Sequence, residues 1–214
     1  MDKLYLEIPT IKRKKETYEY IQEHLNNNSS IHGSGSLHRY VNKDKNDYEE
    51  WLEKLEKDYV RIPDENNVPS RTYFLIRESD NKIIGMINIR LALNEKLKKL
   101  GGHIGYGIRP SERRKGYNKI NLYLALKICN EFGIDNVLLD ADINNPASWK
   151  TMEALGGIRV REYYDDVNMH CTVVDYKIDV PKALNDHIFY ENYISKENEK
   201  VLNIITQTKS KHKK

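Results

Sequence analysis

The 214-residue sequence predicts an α+β domain, a mixed and mostly antiparallel sheet flanked by helices. Three observations carry that expectation. Two stretches with helical periodicity open the chain. From Thr72 the pattern changes to apolar runs separated by turn residues. Beyond residue 103, strand and helix patterns alternate before a final strand pair. The apolar fraction of 39%, which includes fifteen tyrosines, is enough to bury one core.

In order, Ile11, Tyr18, Ile21 and Leu25 fall on one helical face, with Thr10 as the expected N-cap of a helix over 11–26. The polar stretch NNNSSIHGSGSLHRY then reads as a long loop. Tyr48, Trp51, Leu52, Leu55 and Tyr59 follow the i, i+3, i+4 spacing of a second helix, with Asp47 and Glu50 as a capping box. TYFLIRE and KIIGMINIRLAL flank Ser79, Asp80 and Asn81, which predicts a hairpin. A short helix, LNEKLKKL, ends at Gly101 and Gly102. Next comes the strand HIGYGIR, the loop PSERRKG, a helix over Tyr117–Phe132 closed by Gly133, and the strand NVLLDAD. Asn145 followed by Pro146 marks a helix start, and Gly156 and Gly157 its end. Ile158–Tyr164 and Met169–Val180 read as two further strands, and in the latter Thr172, Val174, Tyr176, Ile178 and Val180 alternate with more polar residues as a half-buried strand should. The domain is expected over residues 1–180, with 181–214 a C-terminal helical extension ending in a lysine-rich, unstructured tail.

Composition removes several function classes. No apolar run approaches the ~18 residues of a membrane span, and MDKLYLEIPT lacks the basic-then-apolar pattern of a signal peptide. Cys129 and Cys171 cannot form a disulfide scaffold or a structural zinc cluster; they read as small buried apolar groups in a reducing cytoplasm. Seven histidines without ligand spacing predict no metal. The net charge of +3 depends on the terminal KSKHKK: without its four lysines the balance becomes −1. A nucleic-acid partner would rest only on that tail and on Lys12–Lys15, and is not expected.

The informative stretch is GGHIGYGIRPSERRKGYNK, residues 101–119. A strand enters a loop with a glycine and three basic residues, then passes directly into a helix. Loop amides and helix N–H groups converging at one point bind an anion, most naturally a phosphate or pyrophosphate. Gly116 allows close backbone approach. The same pattern also fits a plain turn followed by a solvated charge run. There is no G-x-x-x-x-G-K-[ST] and no G-x-G-x-x-G, so neither a P-loop nor a Rossmann site is present.

The segment resembles the acyl-CoA-binding motif of the GNAT superfamily of N-acetyltransferases, [RQ]-x-x-G-x-[GA] between a strand and a helix. Arg113, Arg114, Lys115, Gly116 and Tyr117 match, while Asn118 stands where the family has Gly or Ala. DINNPASWKTMEALGG is similar to the family's next strand–helix unit, and the wider GGHIGYGIRPSER is similar to a bacterial subgroup. The resemblance implies a sheet with splayed central strands and acetyl-CoA as co-substrate. It implies transfer to a primary amine of a small molecule or peptide by direct attack in a ternary complex. It places Ile108, Arg113, Arg114, Lys115, Gly116, Tyr117, Asn118, Lys119, Asn145 and Ser148 against acyl-CoA, with the N–H of Ile108 at the thioester oxygen.

For proton transfer, His103 is the expected base, since imidazole titrates near neutrality; His32 and His38 are alternatives from the long loop. Family members carry a tyrosine acid where this chain has Met152, and Tyr163 is the expected substitute, with Tyr164 or water as alternatives. A non-catalytic acyl-CoA-binding module is the second functional possibility. A homodimer is compatible with the C-terminal addition.

Overall fold

The computed structural model describes residues 2–41 and 47–212, with side chains as far as 205. Its elements are β1 (Leu4–Glu7), α1 (Lys14–Asn26), α2 (Tyr48–Tyr59), β2 (Ser70–Arg77), β3 (Lys82–Arg90) and α3 (Glu95–Lys99), then β4 (Ile104–Ile108) and α4 (Tyr117–Glu131). They continue with β5 (Asn136–Asp142), α5 (Pro146–Glu153), β6 (Ile158–Asp165), β7 (Cys171–Asp179), α6 (Val180–Asp186) and α7 (Asn198–His212). The strands form two half-sheets, β1-β2-β3-β4 and β5-β7-β6.

The expected hairpin forms, with Arg77 paired to Lys82 and Asn81 in the left-handed region. Strands β2 and β3 are buried on both faces, which is why they read as continuous apolar runs rather than alternating ones. On one face, Tyr73, Leu75, Ile87 and Ile89 pack with α4 and the C-terminal helices. On the other, Phe74, Ile76, Ile83 and Met86 pack with α1 and α2 around Trp51.

Two elements depart from the pattern read in the sequence. Strand β1 was not expected. Its four residues pair with β2, and it is held from the far end of the chain: the Ser195 N–H donates to Leu4 O at 2.8 Å, and Asn198 Oδ1 accepts the Leu6 N–H at 3.0 Å. The first helix buries Thr17, Tyr20, Ile21 and His24, leaving Ile11 and Leu25 outside. A 3₁₀ turn over Ile11–Arg13 shifts its phase, and the Tyr20 and His24 rings meet at 4.6 Å on the buried side. Thr10 and Asp47 make no side-chain caps; Thr10 O instead accepts the Tyr48 hydroxyl at 3.0 Å.

Past residue 180 the chain folds back onto the same core. Val180, Ala183, Tyr190, Val201 and Ile205 are buried with α4, and Ile194 bridges to Leu4. Helix α7 carries most of the lysine-rich tail, as far as His212. Cys129 is buried and Cys171 half-buried, both as free thiols; burial raises the Cys129 thiol to about 12.

Candidate active site at the sheet opening

The half-sheets meet where β4 begins. The His103 N–H donates to Leu138 O at 2.7 Å, and the Leu138 N–H donates to His103 Nδ1 at 3.0 Å. The imidazole thus substitutes for a strand partner. Burial, assisted by the positive Arg90, lowers its pKa to about 4. With Nδ1 accepting, the neutral ring carries its hydrogen on Nε2 and has no free lone pair for an incoming proton. The geometry therefore places His103 at the vertex of the opening as a structural clasp.

Beyond that vertex β4 and β5 separate, and the register fixes what lines the gap. The Arg90 N–H bonds His103 O and the Arg109 N–H bonds Ile84 O, so Gly105 and Gly107 form the hydrogen-bonded pairs with β3. The N–H groups of Tyr106 and Ile108 consequently point away from β3 and into the gap. These two donors face the opening because of antiparallel pairing alone. The C=O of Ile108 shares that direction and accepts Arg113 Nε at 3.1 Å.

The loop after β4 is built around two carboxylates that sequence reasoning missed. Glu23 of α1 accepts Arg109 Nε at 2.7 Å through one oxygen and the Ser111 N–H at 2.7 Å through the other. Glu112 is buried and meets Arg77 at 2.7 Å, Lys115 at 2.9 Å and Lys82 at 3.3 Å. Burial alone would raise its pKa, but these three cations outweigh that and hold it at about 2. An acid inside a basic run was the available signal: its neighbours supply the charge that makes burial tolerable.

So anchored, the loop turns through two left-handed residues, Arg114 at φ +63° and Gly116 at φ +82°. Gly116 is the N-cap of α4 and supplies no side-chain cap, leaving the first-turn N–H groups of Tyr117 and Asn118 at the mouth, while the Lys119 N–H donates to Gly116 O at 3.2 Å. Arg113 reaches Ser29 Oγ at 2.5 Å, and Lys115 is tied to Glu112. Tyr117 is buried, its hydroxyl on Asp2 at 2.5 Å, so its side chain supports the loop from below. Arg114 and Lys119 are exposed.

Behind the gap, α4 and α5 supply polar side chains. Asn118 Nδ2 donates to Thr151 Oγ1 at 3.3 Å, while Asn118 Oδ1 and both amide atoms of fully buried Asn121 have no partner among the described residues. Ser148 meets the Tyr106 hydroxyl at 3.0 Å. Asn145 stands at the N-cap position of α5, exposed and without a side-chain cap bond, and Met152 is buried in the core. Buried polar atoms without partners on the side where the loop opens suit a ligand rich in amide groups.

The opposite face of the gap is covered by the 27–40 loop. A Cβ on Gly107 would lie 2.9 Å from His32 O, and one on Gly33 2.7 Å from both Gly105 O and Met86 O, so loop and strand touch through backbone. Both His32 and His38 are exposed on this loop. On the same face, β5 and β7 carry Asp140 and Asp175, whose carboxyls burial raises above the usual range. Asp140 accepts the Gly101 N–H and Asp175 pairs with Arg161 at 2.5 Å. Tyr163 lies apart. It sits on edge strand β6, separated from β5 by β7, and its hydroxyl donates to Lys99 O at 2.9 Å.

No helix among the described residues is long and apolar enough to cross a membrane, and no cluster of three or more metal-ligating side chains occurs among them. Among curated proteins, none matches the chain in sequence. Solved structures do match in fold. A spermidine/spermine N-acetyltransferase from Vibrio cholerae aligns at TM-score 0.57 and 16% identity, covering 86% of this chain and 98% of that one. A ribosomal-protein-S5-alanine acetyltransferase from Vibrio fischeri aligns at TM-score 0.60 and 12% identity, covering 84% and 94%. A family profile described as an acetyltransferase (GNAT) domain matches residues 11–158. Strand order, the gap between β4 and β5, and this match agree: the chain belongs to the GNAT acetyltransferase family.

Proposed function

We propose that the protein transfers the acetyl group of acetyl-CoA to a primary amine of a small molecule or peptide, both substrates being bound together. The observation that carries this is the direction of the Tyr106 and Ile108 N–H groups, which face the gap beside a loop of two left-handed residues. The loop and the first turn of α4 would hold the pyrophosphate, with Arg113, Arg114, Lys115, Gly116, Tyr117, Asn118 and Lys119 as the surrounding residues. Asn145, Ser148 and the unpartnered amides of Asn118 and Asn121 would line the pantetheine arm. Acetyl-CoA supplies an activated thioester. The chain's part is to align it with the amine and to place N–H donors where the carbonyl oxygen gains charge.

The amine would approach from the face covered by the 27–40 loop. Asp140 is better placed than His103 to accept its proton: burial raises that carboxyl, it lies on the amine's side of the vertex, and the His103 lone pair is engaged. Two carboxyls raised by burial on this face also favour a cationic acceptor, whose charge would favour their ionised form. The two free cysteines fit work in a reducing compartment such as the cytoplasm.

Calorimetric titration with CoA, followed by a thiol-release assay over a panel of amines, tests the proposal. Gly116→Val forces a β-branched residue to φ +82° at the mouth and should abolish CoA binding while the fold persists. Unchanged affinity in that variant would place the pyrophosphate elsewhere. CoA binding without thiol release for any amine would make the protein a binding module of this fold.

A further inference from the structure

Core position 152 of α5 is a methionine, which cannot donate a hydrogen bond to a departing sulfur. The fold brings another group to the same helix face. Tyr106 projects from β4 toward α4 and α5, half-buried against the main core. Its hydroxyl lies 3.0 Å from Ser148 Oγ and 3.2 Å from Ser148 O. Ser148 and Met152 are four residues apart and so share a face of α5. The phenol therefore crosses from the strand that lines the gap to the helix that closes it. Burial raises its pKa, so it keeps its proton throughout the neutral range.

We propose that the Tyr106 hydroxyl is the hydrogen-bond donor that stabilises the CoA sulfur as it leaves the acetyl group. The assignment rests on the acetyl-transfer reading above. In the step concerned, the carbon–nitrogen bond has formed and the carbon–sulfur bond breaks, its electron pair passing to sulfur. The Tyr106 O–H turns from Ser148 to the sulfur and shares its hydrogen without losing it. The thiolate takes a proton from water, and the proton lost by the amine passes to Asp140 and from there to solvent. One residue thus serves both ends of the breaking bond: its N–H faces the carbonyl oxygen and its hydroxyl the sulfur.

The test is the titration of CoA thiol bound to the protein, followed by its ultraviolet thiolate absorbance, in wild type and Tyr106→Phe. A hydrogen bond to a charged acceptor predicts that the bound thiol titrates about one pH unit higher in Tyr106→Phe. The turnover number should fall about tenfold or more, with the KM for acetyl-CoA nearly unchanged. A thioester with a more acidic thiol should recover much of that loss. Ser148→Ala removes the hydroxyl contact at 3.0 Å and leaves the phenol only the backbone Ser148 O at 3.2 Å, so it should leave the bound thiol at or below its wild-type value. Equal titration in wild type and Tyr106→Phe, with CoA bound to both, overturns this assignment alone, and so does a rise in Ser148→Ala. A wild-type protein that takes up no CoA by calorimetry overturns the parent reading and this assignment together.

Discussion

Replacing Glu112 by Gln keeps the shape of the side chain and removes the charge on which Arg77, Lys82 and Lys115 converge. The carboxylate is 4% exposed, but its partners range from 13% for Arg77 to 34% for Lys82 and 48% for Lys115. Breaking a fully buried pair costs about 3–5 kcal/mol, whereas exposed pairs contribute about 0–1. With one well-buried partner and two screened ones, Glu112→Gln should cost about 2 kcal/mol near neutral pH. That corresponds to roughly 4–8 °C in melting temperature for a chain of this size. The pH dependence has a definite sign. A carboxyl held at about 2 when folded, against 4.5 when free, adds stability above the free value and loses it as pH falls toward 2. Urea unfolding of both proteins at neutral pH and in steps down toward about pH 2 reads this directly, since the two curves should converge there. A gap that stays constant with pH, or one below about 0.5 kcal/mol at neutrality, would refute the ion-pair account of the loop. Because Glu112 also positions Lys115, CoA affinity should fall in the same variant.

Three further outcomes follow from the site. Gly33→Ala puts a Cβ 2.7 Å from two carbonyl oxygens at φ +69°, and calorimetry should show a loss of about 2–4 kcal/mol with weakened acceptor binding. His103→Ala leaves the Leu138 N–H without its acceptor, and denaturant unfolding should show a loss of about 1–3 kcal/mol. In the wild type that contribution is full above 6.5 and is lost as pH falls through about 4, because the lowered imidazole must then protonate where it accepts. Tyr163→Phe removes the bond to Lys99 O and should cost about 1 kcal/mol in the same measurement, with thiol release unaltered.

What could be read from the chain, and what could not, has physical causes. The hairpin around Asp80, the stop at Gly133 and the Asn145–Pro146 start depend on local backbone preferences, so they were legible. Strand β1 depends on residues 195 and 198, and nothing within Leu4–Glu7 announces it. The buried face of α1 differs from the one expected because Tyr20 and His24 look polar while Ile11 and Leu25 look apolar; the two rings bury themselves in a tilted contact with each other. The anion loop was visible as a charge run with a glycine, but its anchors were not. Glu23 lies far upstream, and Glu112 counts as one more surface charge until Arg77 and Lys82 are seen to enclose it. Tyr106 was one tyrosine among fifteen until Ser148 marked it out.

The two arms of the sheet are pinned at one end by the reciprocal contact between His103 and Leu138, like riveted tongs. Leverage follows from such a pivot: a small twist at the rivet becomes a larger change in jaw width at Ile108. Substitutions at the rivet can therefore retune which molecules the jaws accept while leaving each jaw as it was.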